Sequence, residues 1–238
     1  MKRTILAASV TFAFGTPVWA QDDDPLAWPE LGQLGSTIMT AEAAWDWLPG
    51  DLVFRNNLND FDEIVRQNES GQWASVGIIR PSGGGPVAIY VDERQGVTET
   101  PLDLFIANEA YAVFRVTSLE NVRAEIYDLG PMALFAGSLS MNMPYDSEMM
   151  LENGKFYNAE LPFTAALNAG VILVAPKPLR DVTGPDAPLG QALLENRIGH
   201  FPCIEATDKE MCWGWMRNFA IVTPGMILSS DALEQVYP

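Results

Sequence analysis

The chain has 238 residues, 48% of them hydrophobic, and its mean hydropathy is close to zero at +0.04. That is a globular composition, too apolar for disorder and too mixed for a bundle of membrane spans. Fourteen Lys and Arg against 31 Asp and Glu leave a net charge of −17, which repels phosphate backbones and argues against a nucleic-acid partner. One histidine, His200, and two cysteines, Cys203 and Cys212, are too few for a zinc site built on Cys and His, so neither a metal nor another cofactor is expected.

Residues 1–20 read as a secretory signal peptide. Lys2 and Arg3 form the positive start, an apolar stretch follows, and Val18-Trp19-Ala20 puts small residues at the two cleavage subsites. Its removal would leave 12 basic against 31 acidic residues. No later apolar run is long enough to span a membrane, so the expectation is an exported, unanchored periplasmic protein. Residues 21–44 are rich in Gly, Pro and Asp and read as a leader. Residues 45–238 read as one domain, with a C-terminal extension from about 176.

The pattern predicts a short helix over 41–48, stopped by Pro49-Gly50, and then a strand over 51–54. Asp60-Phe61-Asp62-Glu63 has capping-box spacing, with Phe61, Ile64 and Val65 on one helical face. Strands over 73–79 and 87–91 flank Pro-Ser-Gly-Gly-Gly, a hairpin turn that lacks the Lys-Ser/Thr of a phosphate loop. A helix over 101–108, a strand over 111–117 and a helical stretch over 118–139 broken at Gly130-Pro131 come next. Then follow a helix over 159–169 stopped by Gly170, with Asn158 as its N-cap, and a strand over 171–175. Prolines 176, 178, 185 and 188 mark a connection to a cysteine-bracketed hairpin, with Trp213 and Trp215 on one strand face, and to a helix over 232–236. Interleaved helices and hairpins indicate an α+β domain.

Cys203 and Cys212 bracket IEATDKEM, a polar stretch suited to a loop. In an oxidising compartment they read as a disulfide staple, with a reactive thiol pair as the other reading.

Four segments in order resemble the permuted papain-like amidases of the YiiX/YaeF type, a branch of the NlpC superfamily of cysteine hydrolases. They are Leu48-Pro49-Gly50-Asp51-Leu52-Val53-Phe54; Ala74-Ser75-Val76-Gly77-Ile78; Gly96-Val97 with Pro101-Leu102-Asp103; and Pro144-Tyr145-Asp146 through Phe156-Tyr157-Asn158-Ala159-Glu160-Leu161. Ile221-Val222-Thr223-Pro224-Gly225 is similar to a late strand end of that family. The resemblance implies a circularly permuted papain-like (NlpC-type) α+β fold, an antiparallel sheet packed against helices.

It also implies a histidine at position 75, an acid just after the 87–91 strand and a cysteine at position 158. Such a thiol is acidified by a helix start and paired with an imidazole that a third polar group orients. The chain has Ser75, Asp92 and Asn158 there, so the catalytic His and Cys are replaced. Losing a nucleophile or its base costs roughly 10⁶-fold in turnover in a comparable triad. Asp51, Tyr145, Asp146 and Glu160 are pocket candidates by the same resemblance, each with a structural reading beside it: turn, hydrogen-bonded tyrosine, helix first turn. The expected function is an exported, catalytically inactive homologue that binds a cell-wall peptide, an acyl-lipid type ligand or a periplasmic protein. The alternative is an active periplasmic amidase, peptidase or esterase using Ser75 with Asp92 or His200 as base. A third possibility is a structural or assembly protein that inherits only the fold.

Overall fold

The structure is a computed structural model that describes residues 44–238, apart from 57, 108 and 123–128. The expected signal peptide and all but the last residue of the expected leader lie outside the described residues. So do residues 41–43 of the helix expected over 41–48, and its residues 45–48 are not helical.

In chain order the elements are β1 (Leu52–Arg55), α1 (Asp60–Glu69), β2 (Ser75–Ser82), β3 (Gly85–Asp92), β4 (Gly96–Pro101), α2 (Leu102–Ile106), β5 (Tyr111–Val116), α3 (Pro131–Ser138) and α4 (Glu160–Asn168). Then come β6 (Lys177–Pro178), α5 (Leu179–Val182), α6 (Pro188–Arg197), α7 (Lys209–Met216), β7 (Ala220–Ile221), α8 (Pro224–Leu228) and β8 (Leu233–Tyr237). The main sheet has six strands in the order β4-β3-β2-β1-β5-β8, and every neighbouring pair is antiparallel. The expected α+β architecture is the one the chain forms.

Strand alternation divides the core in two. On one face Leu52, Phe54, Val76, Ile78, Ile89 and Val91 pack with Met132 and Ala136 of α3, Leu161 and Ala165 of α4, and Leu193 of α6. On the other, Val53, Ile79, Ala88 and Val113 meet Leu102, Phe105 and Ile106 of α2. Each fully buried Val, Leu, Ile, Phe or Met among these contributes about 1.5–3 kcal/mol. Gly77 is what admits α2: a Cβ there would lie 3.2 Å from Phe105 Cζ and 3.3 Å from Ala88 Cβ.

Several elements differ from the sequence pattern. The cap of α1 is Asn59, whose side chain accepts from Asp62 N at 2.8 Å, while Glu63 turns to Arg66. The helix expected over 101–108 is the shorter α2, with Pro101 as its N-cap residue. In the stretch expected to be helical over 118–139, a 3₁₀ turn spans Thr117–Leu119 and α3 starts only at Pro131; residues 123–128 lie outside the described ones. Residues 171–175, expected as a strand, have no regular secondary structure, and no strand among the described residues pairs with them. β4 has no alternating pattern and forms because β3 pairs with it, Val91 opposite Val97. The expected C-terminal helix is instead β8, paired with β5 through Phe114 and Gln235.

The cysteine-bracketed segment is no hairpin. Asp208 caps α7 by accepting from Met211 N at 2.8 Å, so Cys212, Trp213 and Trp215 are helical. Two residues apart on a helix the tryptophans diverge: Trp213 packs on the core, and Trp215 is 41% exposed. The Cys203–Cys212 disulfide is present, with both residues buried.

Candidate functional site

Position 75 opens β2. The ladder between β2 and β3 runs from Ser82 opposite Gly85 to Ile78 opposite Ile89 and stops there. Two residues beyond its last pair, the Val76 N–H meets a side chain, not a strand: it donates to Asn158 Oδ1 at 2.9 Å. A buried backbone donor must find an acceptor, and here the carboxamide supplies it. The other end of the amide, Asn158 Nδ2, donates to Asp62 Oδ2 at 2.8 Å and to the Ala74 carbonyl at 3.3 Å.

Asp62 reaches the same place from the first turn of α1. Its Oδ2 also accepts from Ser75 Oγ at 2.7 Å, so one carboxylate oxygen joins the hydroxyl and the carboxamide. Ser75, Asp62 and Asn158 are 0, 3 and 5% exposed. Burial pushes the Asp62 carboxyl up to about 7 against the hydrogen bonds from Ser75 and Asn158; Glu93 adds to the rise and Arg55 opposes it.

The structure thus brings Ser75 and Asn158 together but places Asp62, not Asp92, between them. Asp92 ends β3, and its Oδ1 accepts from Arg94 N and Gln95 N, both at 2.9 Å, closing the turn into β4. Asn158 does not cap α4: the N-cap residue is Ala159, with no side-chain cap bond. His200 is exposed on the turn after α6 and carries no hydrogen bond to Ser75, Asp62 or Asn158, so it is not the relocated base. Asp62 is not among the expected site residues, because its place in the Asp60–Glu63 capping-box spacing gives it a local structural role. The available signal was an acid beside Phe61 and Val65 on the inward face of a helix.

The remaining candidates serve the scaffold. Asp51 is 1% exposed and lies at the opposite end of β1 from the Arg55–Ser75 pair. Its carboxylate binds Arg115 in a fork, Nε at 2.7 Å and Nη2 at 2.9 Å, and accepts from Leu48 N at 2.8 Å, which fixes the Pro-Gly turn. Asp146, wholly buried, accepts from Glu148 N, Met150 N and Asn153 Nδ2 and so folds the loop before Phe156. Tyr145 is held protonated by burial first, then by the nearby charges of Asp62, Glu93 and Asp146. Glu160 begins α4 at 2% exposure; burial pushes it up to about 8, and Oε1 accepts from Glu152 N at 3.1 Å. Among the described residues no group of three or more His, Cys, Asp or Glu is placed to hold a metal ion.

The sequence matches no protein-family model and no curated protein. By structure it is similar to the crystal structure of the metalloprotein yiiX from Escherichia coli O157:H7. The TM-score is 0.62, with 19% identity, over 82% of this chain and 100% of that one. At that identity the likeness shows the fold. The chain has the mixed α+β, papain-like fold of YiiX.

Proposed function

We propose that this is an exported, periplasmic protein with the permuted papain-like fold that has lost hydrolytic function and acts by binding a protein partner. One observation carries the reading. The residues at the catalytic positions, Ser75 and Asn158, are sealed in the interior and bonded to each other's partner, Asp62. A hydroxyl and a carboxamide replace the thiol–imidazole pair, and no external amide or ester can approach them. A cell-wall peptide or acyl-lipid ligand would need an open groove at this point, and the closed cluster favours a protein-binding scaffold over either. The Cys203–Cys212 disulfide suits an oxidising compartment, and no helix among the described residues is long and apolar enough to cross a membrane.

The structural neighbour is called a metalloprotein. A single carboxylate, a hydroxyl and an amide already committed to the backbone do not fit a metal ion here, and no step runs through one.

The active-hydrolase reading gains a base in Asp62, which accepts directly from Ser75. It fails on access, since Ser75 is fully buried. Purified protein incubated with peptidoglycan peptides and with acyl esters is expected to release product no faster than buffer. Turnover that persists through purification and disappears in Ser75→Ala would overturn the proposal.

A further inference from the structure

The buried cluster contains every part that acyl transfer needs. Ser75 Oγ is a hydroxyl nucleophile hydrogen-bonded to a carboxylate at 2.7 Å. Asn158 carries an acyl carbon. The oxygen on that carbon, Oδ1, already accepts a backbone N–H from Val76 at 2.9 Å, the donor that an oxyanion requires. Its leaving nitrogen, Nδ2, donates to the same Asp62 Oδ2 that Ser75 binds, at 2.8 Å. Nucleophile, proton carrier, leaving group and oxyanion donor are held in one hydrogen-bonded cluster before any reaction, which lowers the entropic cost of bringing them together.

We propose that the protein closes an internal ester between Ser75 and Asn158, a self-made cross-link tying the start of β2 to the start of α4. Asp62 takes the Ser75 hydroxyl proton as Oγ attacks Asn158 Cγ. The Cγ–Oγ bond forms and the negative charge on Oδ1 is held by the Val76 N–H. Collapse then breaks Cγ–Nδ2 as Asp62 returns the proton to nitrogen, and one ammonia leaves. Hydroxyl plus carboxamide become ester plus ammonia, with no oxidant and no co-reactant.

Two further observations support the step. Burial pushes Asp62 up to about 7, so at neutral pH the carboxyl both accepts and donates a proton. A narrow pocket bordered by Phe61, Val65, Met149 and Pro224 adjoins Asp62 and Asn158, with free space of roughly one water, the size of the departing ammonia. The three reacting side chains are at most 5% exposed, which keeps bulk water from the ester once formed. The inference uses the same cluster as the non-catalytic reading. It is measured by mass and not by turnover, so either can fail alone.

The test is mass spectrometry of the purified full chain, disulfide intact, held for days at neutral pH. The intact mass is expected to fall by one ammonia, and proteolysis is expected to yield one joined species of the peptides carrying Ser75 and Asn158. Hydroxylamine should split it. Asp62→Asn, which keeps the shape of the side chain, and Ser75→Ala should both retain the full mass. The wild-type mass alone decides the matter if a variant does not fold. An unchanged wild-type mass would overturn the proposal. So would loss of ammonia without the joined peptides, which is the mark of a succinimide at Asn158.

Discussion

The Asn158 carboxamide occupies the place of a strand partner for Val76, accepting its N–H at 2.9 Å where the β2–β3 ladder has ended. The amide is a hydrogen-bonded plug at the end of the ladder and also bonds Asp62, the carboxylate that accepts from Ser75.

Truncating that plug orphans a buried backbone donor and removes one of two donors to Asp62. Asn158→Ala is therefore expected to lower the unfolding free energy by about 2–4 kcal/mol. Asn158→Asp should cost at least as much, because it sets a second carboxylate against the first. Urea denaturation of both variants beside wild type measures this, and wild-type stability in Asn158→Ala would contradict the role assigned to the amide.

Stability should fall as the solution becomes more alkaline. Asp62 is raised to about 7 and Glu160 to about 8, each mainly by burial, while in the unfolded chain both titrate near their ordinary carboxylate values. Between those limits the native state binds more protons than the unfolded state, so the slope of unfolding free energy against pH is negative. The stabilisation is complete below about pH 4 for these two groups and is lost through pH 7–8, with a size on the order of a few kcal/mol. Asp62→Asn and Glu160→Gln should each flatten the curve, which thermal denaturation from pH 4 to 9 would reveal.

Asp51 and Arg115 form a fork at the opposite end of β1, with side chains 1% and 13% exposed. Arg115 keeps the Asp46 carbonyl and Glu120 when Asp51 is removed, but the fork and the turn bond from Leu48 N are both lost, so Asp51→Ala is expected to cost about 2–3 kcal/mol. Arg115→Met should cost less, since the turn bond from Leu48 N survives. The double variant should be more stable than the two losses added together predict, and a double-mutant cycle reads the coupling directly.

The Cys203–Cys212 bridge closes a sequence separation of only 9. In the loop-entropy model such a bridge contributes about 2–3 kcal/mol. The Cys203→Ala, Cys212→Ala double variant should lose that amount, and thiol labelling of denatured, unreduced wild type should find no free cysteine. Two labelled thiols per chain would exclude the bridge from the purified protein.

Local pattern was enough for much of this protein. Short apolar β-type runs on either side of a glycine turn specify β2 and β3, and both faces of these strands are buried. Gly170 ends the Phe163 helix for the reason it ends others: at φ of 81° the backbone is in the left-handed region, which favours glycine. The family resemblance implied Ser75 and Asn158 as site partners, and the structure brings both to Asp62.

What the pattern could not decide depended on partners distant in the chain. β4 and β8 carry weak strand signals and exist because β3 and β5 offer open edges. Residues 171–175 carry a strong signal and no ladder. The acid of the site was misassigned for the same reason. Asp62 and Asp92 are alike as residue types, and only packing takes α1 over the end of β2, burying one carboxylate against Ser75 while the other closes a turn. Sequence by itself determined which groups the chain owns and which segments could extend or coil. Tertiary structure decided which carboxylate was stripped of water, because desolvation is a property of everything that surrounds a side chain and not of its neighbours in sequence.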